Sequence, residues 1–147
     1  MYIKLLILLS FTFSQEKSPE LFQFNQSQYQ SFYFFEKIMI DTNLISNSDW
    51  VGVFNCKEWN ADSSACIKLG RCVGAKKYDR SKCGGGICDI PAMGEGLDGS
   101  KETLGYLKKG EYPVFLVYDS SSGIYYSTKL DGVVRINQDV CKNGYPF

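Results

Sequence analysis

The chain has 147 residues, of which 16 are basic, 16 are acidic and none is histidine. Its length suits one domain around one core, and its apolar fraction of 44 % is that of a globular protein. The charge is balanced and has no basic cluster, which argues against a nucleic-acid surface. Without histidine the chain has no Ser-His-Asp triad, no Cys-His pair and no histidine metal ligand.

Residues 1–14 have the pattern of a secretory signal peptide. Lys4 supplies the positive start, residues 5–11 form the apolar stretch, and Thr12 and Ser14 are the small residues before a cleavage point. A retained membrane anchor and a buried first strand are the alternatives, although the apolar run is short for a bilayer span. We expect cleavage after Ser14, which leaves residues 15–147 as one secreted domain that is free of the membrane.

Three strands are predicted in the first part of the mature chain, because β-branched and aromatic residues there suit a pleated, half-buried surface. Strand A covers residues 21–30, strand B residues 32–40 and strand C residues 49–56. Phe22 and Phe24 lie on one face of strand A. A helix is the alternative for strand B, but its short length and its aromatic density favour a strand.

Two features predict extracellular modification. Asn25 begins the only Asn-x-Ser/Thr sequence and is a predicted N-glycosylation site. An even number of cysteines behind a signal peptide predicts three disulfides, without fixing which cysteines pair. The six are Cys56, Cys66, Cys72, Cys83, Cys88 and Cys141. A zinc site is the alternative, but the chain has neither a Cys-x2-Cys pair nor a histidine.

Residues 57–101 contain four of the cysteines and many glycines, and they show no sustained periodicity. We therefore predict a disulfide-rich insertion between strand C and the next strand, in which crosslinks replace a core and which contains one short strand or helical turn at most. Strand E at 103–107, strand F at 112–118 and strand G at 124–130 follow it. A polar turn joins F to G, and a last short strand is predicted at 133–136.

A tyrosine spacing predicts the type of sandwich. Leu107, Gly110 and Tyr112 have the Leu-x-x-Gly-x-Tyr spacing typical of the tyrosine corner of Ig-like domains, and Trp50 fits the buried tryptophan of strand C. We therefore expect Trp50, Leu107 and Tyr112 in the core.

Residues 49–54 (DWVGVF) and 107–118 (LKKGEYPVFLVY) resemble SKICH domains and are similar to the amino-terminal fibronectin-like domain of purple acid phosphatases. The resemblance implies an all-β fold, an Ig-like or fibronectin type III-like antiparallel sandwich. Neither module is itself catalytic, and the metal-binding domain of the phosphatases has no counterpart in this sequence. SKICH domains are cytosolic and lack such disulfides, so only the fold is carried over.

Two polar patterns have both a chemical and a simpler interpretation. The glycines between Cys83 and Cys88 resemble a phosphate loop, but no Lys-Ser/Thr follows, which favours a disulfide-bounded turn. A loose series of acidic residues consists of Asp89, Glu95, Asp98 and Glu102. It could form a calcium site or the carboxylate pair of a glycosidase, but solvated loop charges are the favoured interpretation. We predict no catalytic residue, no metal ligand and no cofactor.

Side-chain alternation on strands F and G leads to a predicted interface. If Tyr112 points to the core, Phe115 and Val117 point outward and Tyr125 lies outside as well. Either the cysteine-rich insertion covers this apolar set, or the set binds a partner. With Phe22 and Phe24, it is the predicted contact surface.

The predicted function is a secreted structural or adhesion module that acts through protein contacts, including contacts with its own copies in extracellular filaments. A carbohydrate-binding module, with glycan as the partner, is the alternative, because exposed aromatic rings stack on sugars. The candidate rings belong to Trp59, Tyr78, Tyr125 and Tyr126. An enzyme is the least favoured function.

Overall fold

The computed structural model describes residues 17–96 and 99–128, and this part of the chain is built of antiparallel strands with two short 3-10 helices. The strands are β1 (Gln30–Phe35), β2 (Met39–Ile40), β3 (Asn43–Leu44), β4 (Trp50–Trp59), β5 (Cys66–Lys77), β6 (Cys88–Met93), β7 (Val114–Asp119) and β8 (Ile124–Ser127). The 3-10 helices are Glu20–Phe22 and Arg80–Lys82. The expected all-β fold is confirmed. No helix among these residues is long and apolar enough to cross a membrane.

A four-stranded antiparallel sheet, in the order β5-β4-β7-β8, forms the centre of the fold. The β1-β6 pair packs over one face of it, here called the inner face. Val53 and Val73 of the large sheet are fully buried there against Tyr33 of β1 and Ile90 of β6. These residues make the main core, which lies between the two layers.

The opposite, outer face of the four-stranded sheet is also apolar. Phe22, Phe54 and Cys72 form a second buried cluster there. The half-buried residues packed around it include Phe24, Trp50, Ala75, Val114, Leu116, Tyr118 and Tyr125. The sheet is therefore covered on both faces, by β1 and β6 on the inner face and by the segment that carries Phe22 on the outer one.

The first two predicted strands are partly wrong. A 3-10 turn, Glu20–Phe22, and irregular chain replace strand A, and the first strand begins at Gln30. Strand B divides into β1 and β2, and β2 pairs back onto β3. A bend at Glu36 separates β1 from β2, and Asp41, with a left-handed φ of 54°, lies in the turn between β2 and β3.

Strands C, F and G are confirmed as β4, β7 and β8, with shifted ends, but strand E is wrong because residues 103–105 form a turn. The predicted insertion is wrong in a larger way, since it contains β5 and β6. The glycines of this segment hide its strands from a sequence pattern, because they lack the side chains whose alternation indicates a strand. A Cβ at Gly70 would collide with the Asn55 side chain, and one at Gly74 with the carbonyl oxygen of Pro91. Neighbouring groups therefore require glycine at two positions of β5 where a strand pattern would otherwise show a side chain.

The predicted tyrosine corner is wrong. Tyr112 is 77 % exposed, because it precedes β7, which begins only after Pro113, a residue with no N–H for the sheet ladder. Leu107 is buried, as predicted, whereas Trp50 is only half-buried and lies on the outer face. The buried tyrosine of this region is Tyr106, whose hydroxyl accepts a hydrogen bond from the Asn25 backbone N–H at 2.7 Å.

Two disulfides, Cys56–Cys66 and Cys83–Cys88, are formed. Cys72 is a buried free thiol, so the prediction that all six cysteines pair is wrong for this residue. Its side chain lies among apolar rings of the outer cluster. Cys141, Asp98, the predicted signal peptide, the end of strand G and the strand predicted at 133–136 lie outside the described residues.

Candidate interaction surfaces

Phe115 and Val117 are not a surface. Both are almost fully buried on the inner face, so their predicted outward orientation is wrong. The Phe115 ring centroid lies 5.4 Å from that of Tyr33 and 5.1 Å from that of Phe35. The error follows from Tyr112, which lies outside the strand and cannot set its alternation. β1 supplies the two rings that contact Phe115, and β6, which belongs to the cysteine-rich segment, contributes residues to the same core.

Phe22 fills a pocket on the outer face and is 1 % exposed. Three aromatic rings surround it edge to face, with centroids at 5.8 Å for Phe54, 6.5 Å for Tyr118 and 5.4 Å for Tyr125. Gly52 forms the floor, where a Cβ would lie only 2.5 Å from Phe22 Cε1. We call Gly52, Phe54, Tyr118 and Tyr125 the Phe22 pocket. Edge-to-face rings in such a pocket add to the free energy of apolar burial.

The segment that carries Phe22 is a turn held by its own hydrogen bonds. The Phe22 N–H donates to the Pro19 carbonyl oxygen at 2.9 Å, and the Gln23 side-chain amide donates to Ser18 Oγ at 2.7 Å. The sheet contributes the Tyr125 hydroxyl, which accepts from the Leu21 N–H at 3.3 Å. The Phe22 ring is therefore the main contact between residues 19–22 and the sheet, and these residues are not a strand of the sheet.

Three predicted interface residues, Phe22, Phe24 and Tyr125, do come together, but within one chain. Phe24 is half-buried and packs against both the inner core and the outer cluster. Asn25, which follows, is exposed, and its side-chain amide donates to the Glu102 carbonyl oxygen at 3.3 Å. Its glycosylation stays a prediction.

The Cys72 thiol lies in the same cluster as Phe22 and is 6 % exposed. Burial raises its pKa to about 11, although hydrogen bonds to the backbone oppose the shift. The thiol donates to the Gly74 carbonyl oxygen at 3.3 Å. A buried thiol with a raised pKa is unreactive, because the thiolate is the nucleophile.

Sequence reasoning missed a polar network that fixes the loop before β7. Asn55 Oδ1 accepts from the Arg71 N–H at 2.6 Å, and Asn55 Nδ2 donates to the Gly105 carbonyl oxygen at 2.7 Å. The Arg71 guanidinium donates to the carbonyl oxygens of Leu104 and Glu102 and lies 4.8 Å from the centroid of the Tyr106 ring. No motif in the sequence marks these residues. Their partners are backbone atoms distant in the chain, so we assign them a structural role.

The acidic series does not converge on one site. Asp89 forms an ion pair with Lys76 at 2.7 Å, and Glu95 accepts from the Gly105 N–H at 2.7 Å, while Glu102 is exposed. Among residues 17–96 and 99–128, no group of three or more His, Cys, Asp or Glu side chains could hold a metal ion.

Three other carboxylates have a local structural role. These carboxylates belong to Asp62, Asp79 and Asp119. Hydrogen bonds from Ser64, Ser81 and Ser121, in that order, lower the pKa of their carboxyl groups. Each acceptor precedes its serine by two residues, which is the geometry of an Asx turn.

The proposed sugar-stacking aromatics do not share one platform. Tyr78 is buried, and Tyr125 packs on Phe22. Tyr125 and Tyr126 are neighbours on β8 and project to opposite faces of the sheet. Trp59 is half-buried near the end of the β4-β5 hairpin.

Comparison of the chain with protein-family models, with curated proteins and with solved structures found no match.

Proposed function

We propose that the protein is a secreted structural or adhesion module that links its own copies by exchanging its amino-terminal segment. The segment is residues 15–24, with Phe22 as its anchor. The observation that carries this proposal is the fit of Phe22 into its pocket, with the ring directly over Gly52. A second copy can supply the same ring to the same pocket, so exchange forms no new type of contact.

The connection between the anchor and the body of the fold favours exchange. Residues 23–29 join Phe22 to β1, and most of their side chains are exposed or half-exposed. Cleavage after Ser14 would place Phe22 close to a free terminus. Exchange that runs from each copy to the next is heterologous, so it propagates into a filament when its rotation does not close, whereas reciprocal exchange between two copies closes into a dimer. The balanced charge of the chain weakens repulsion between copies.

The length of the connection sets the concentration at which exchange is expected. An exchanged contact replaces the same contact within one chain, so its free energy of about 3–5 kcal/mol cancels. Exchange competes when the protein concentration approaches the effective concentration of the tethered segment, which is on the order of 1 mM for a short flexible linker. We therefore expect assembly at high local concentration, as in a secreted matrix.

The test uses the chain that begins at Gln15, studied by light scattering and electron microscopy up to about 1 mM. We expect the parent to form extended assemblies and Phe22→Ala to lose them. Leu21→Ala is the matched control, because Leu21 is the neighbouring residue and is 50 % exposed. A parent that stays monomeric, or equal assembly of all three chains, contradicts the proposal.

The pairing of β4 with β7, formed largely by the two stretches that resemble SKICH domains, supports an Ig-like type of sandwich. A carbohydrate-binding function stays the alternative, with weaker support because its aromatic rings are dispersed. Binding on a glycan array, confirmed by calorimetry and unaffected by Phe22→Ala, would favour that alternative.

A further inference from the structure

The amino-terminal segment is held to the body of the fold at a second point, just after its anchor Phe22. The Asn25 backbone N–H donates a hydrogen bond of 2.7 Å to the Tyr106 hydroxyl, and the Asn25 side-chain amide donates one of 3.3 Å to the Glu102 carbonyl oxygen. Asn25 is exposed, whereas Tyr106 is 1 % exposed. A buried acceptor therefore holds an exposed part of the connection between Phe22 and β1.

The position of Tyr106 is fixed by Arg71 of β5. The Arg71 guanidinium lies 4.8 Å from the centroid of the Tyr106 ring. It also donates to the carbonyl oxygens of Leu104 and Glu102, at 2.7 and 2.9 Å. One cation of the sheet thus holds both groups that accept hydrogen bonds from Asn25. The acceptors therefore belong to the body of the fold and do not move with the amino-terminal segment.

The hydrogen bond at Asn25 determines how far Phe22 can move. A further attachment lies at Tyr29, whose carbonyl oxygen accepts from the Gly94 N–H at 2.8 Å. While the Asn25 bond is formed, the chain from Asn25 back to Phe22 can span only about 10 Å when it is fully extended. Once that bond is broken, the chain from Tyr29 back to Phe22 can span about 24 Å.

We propose that the hydrogen bond from the Asn25 N–H to the Tyr106 hydroxyl is a latch that controls exchange of the amino-terminal segment. This inference rests on the proposed exchange. With the latch closed, a reach of about 10 Å is only the spacing of two packed sheets, which is too short to carry the Phe22 ring from one fold to the pocket of another. With the latch open, the longer connection can bridge two copies.

The strength of the latch sets how strongly it limits exchange. One hydrogen bond shifts an equilibrium by about fivefold, because its net contribution is small once bonds to water are counted. Asn25 is exposed, so its N–H can bond to water when the latch opens. Loss of the Tyr106 hydroxyl should therefore raise the open fraction of the segment about fivefold, and it should lower the concentration needed for exchange by the same factor.

The test compares three chains that begin at Gln15, namely the parent, Tyr106→Phe and Tyr112→Phe. Tyr106→Phe removes the acceptor and keeps the ring, and Tyr112→Phe is the matched control because that side chain is 77 % exposed. At low concentration, where each chain is a monomer, the rate of chymotrypsin cleavage after Phe22 or Phe24 measures the open fraction. Mass spectrometry of the fragments separates these cuts from those in a globally unfolded chain. Light scattering then gives the concentration at which each chain assembles.

We expect Tyr106→Phe to be cleaved about fivefold faster than the parent and to assemble at about one-fifth of the concentration, while Tyr112→Phe behaves like the parent. Equal cleavage of the three chains overturns the latch, whether or not they assemble. Faster cleavage of Tyr106→Phe beside a parent that never assembles overturns exchange and leaves the latch on the segment. Faster cleavage with an unchanged assembly concentration means that Asn25 is exchanged together with Phe22, which overturns control by the latch.

Discussion

Replacing Gly52 by alanine should expel Phe22 from its pocket. The new Cβ would lie 2.5 Å from Phe22 Cε1 and 2.6 Å from Cδ1, distances at which carbon atoms cannot coexist. The ring belongs to a terminal segment and can move, whereas β4 is paired on both sides at this position. Exposing a phenylalanine side chain costs about 1.5–3 kcal/mol, so Gly52→Ala should lower the free energy of unfolding by about that amount.

The same substitution should raise the free energy of unfolding when Phe22 has also been replaced by alanine. The pocket is then vacant, and alanine is better than glycine inside a strand by about 0.5–1 kcal/mol. Urea unfolding of the four chains gives the coupling free energy between the two positions, which we expect to be about 2–4 kcal/mol. Equal effects of Gly52→Ala in both backgrounds would refute the placement of Phe22 over Gly52.

Three further predictions concern stability. Tyr78→Phe should leave the free energy of unfolding unchanged or raise it by about 1 kcal/mol, since the buried Tyr78 hydroxyl has no hydrogen-bond partner within residues 17–96 and 99–128; a loss in urea unfolding would contradict this. Cys72 should make the free energy of unfolding fall between pH 9.0 and about 11, because folding raises the pKa of its thiol and the unfolded chain therefore releases the proton first. The Cys72→Ala chain should lack this part of the fall when its free energy of unfolding is measured across the same pH range. An identical pH profile for both chains would argue against a buried thiol. Leu107→Ala should cost about 2–5 kcal/mol, and Tyr112→Ala less than about 0.5 kcal/mol, in thermal unfolding; a reversed order would restore the tyrosine corner.

Strand positions were predictable where the side chains carry the signal. β4 and β7 contain dense β-branched and aromatic residues, and both are found. β5 was not predictable, because Gly70 and Gly74 occupy positions where neighbouring groups exclude a Cβ. Close packing of layers thus removes the alternation on which sequence reasoning depends.

The candidate site was predictable in its residues but not in its arrangement. Phe22 and Tyr125 are apolar residues that a strand pattern assigns to a surface. Their contact requires a chain turn at Pro19 and a glycine floor at Gly52, which are separated by many residues in sequence. The orientation of Phe115 was reversed because Tyr112, the chosen reference, does not belong to the strand.

The most direct test of exchange mixes two chains that each lack one half of the contact. A Phe22→Ala chain has an open pocket and no anchor, and a Gly52→Ala chain has an anchor and a blocked pocket. At about 1 mM, sedimentation should show each chain alone as a monomer and the mixture as monomers in equilibrium with a one-to-one complex. A mixture that sediments as monomers, while the parent assembles, would contradict exchange of the amino-terminal segment.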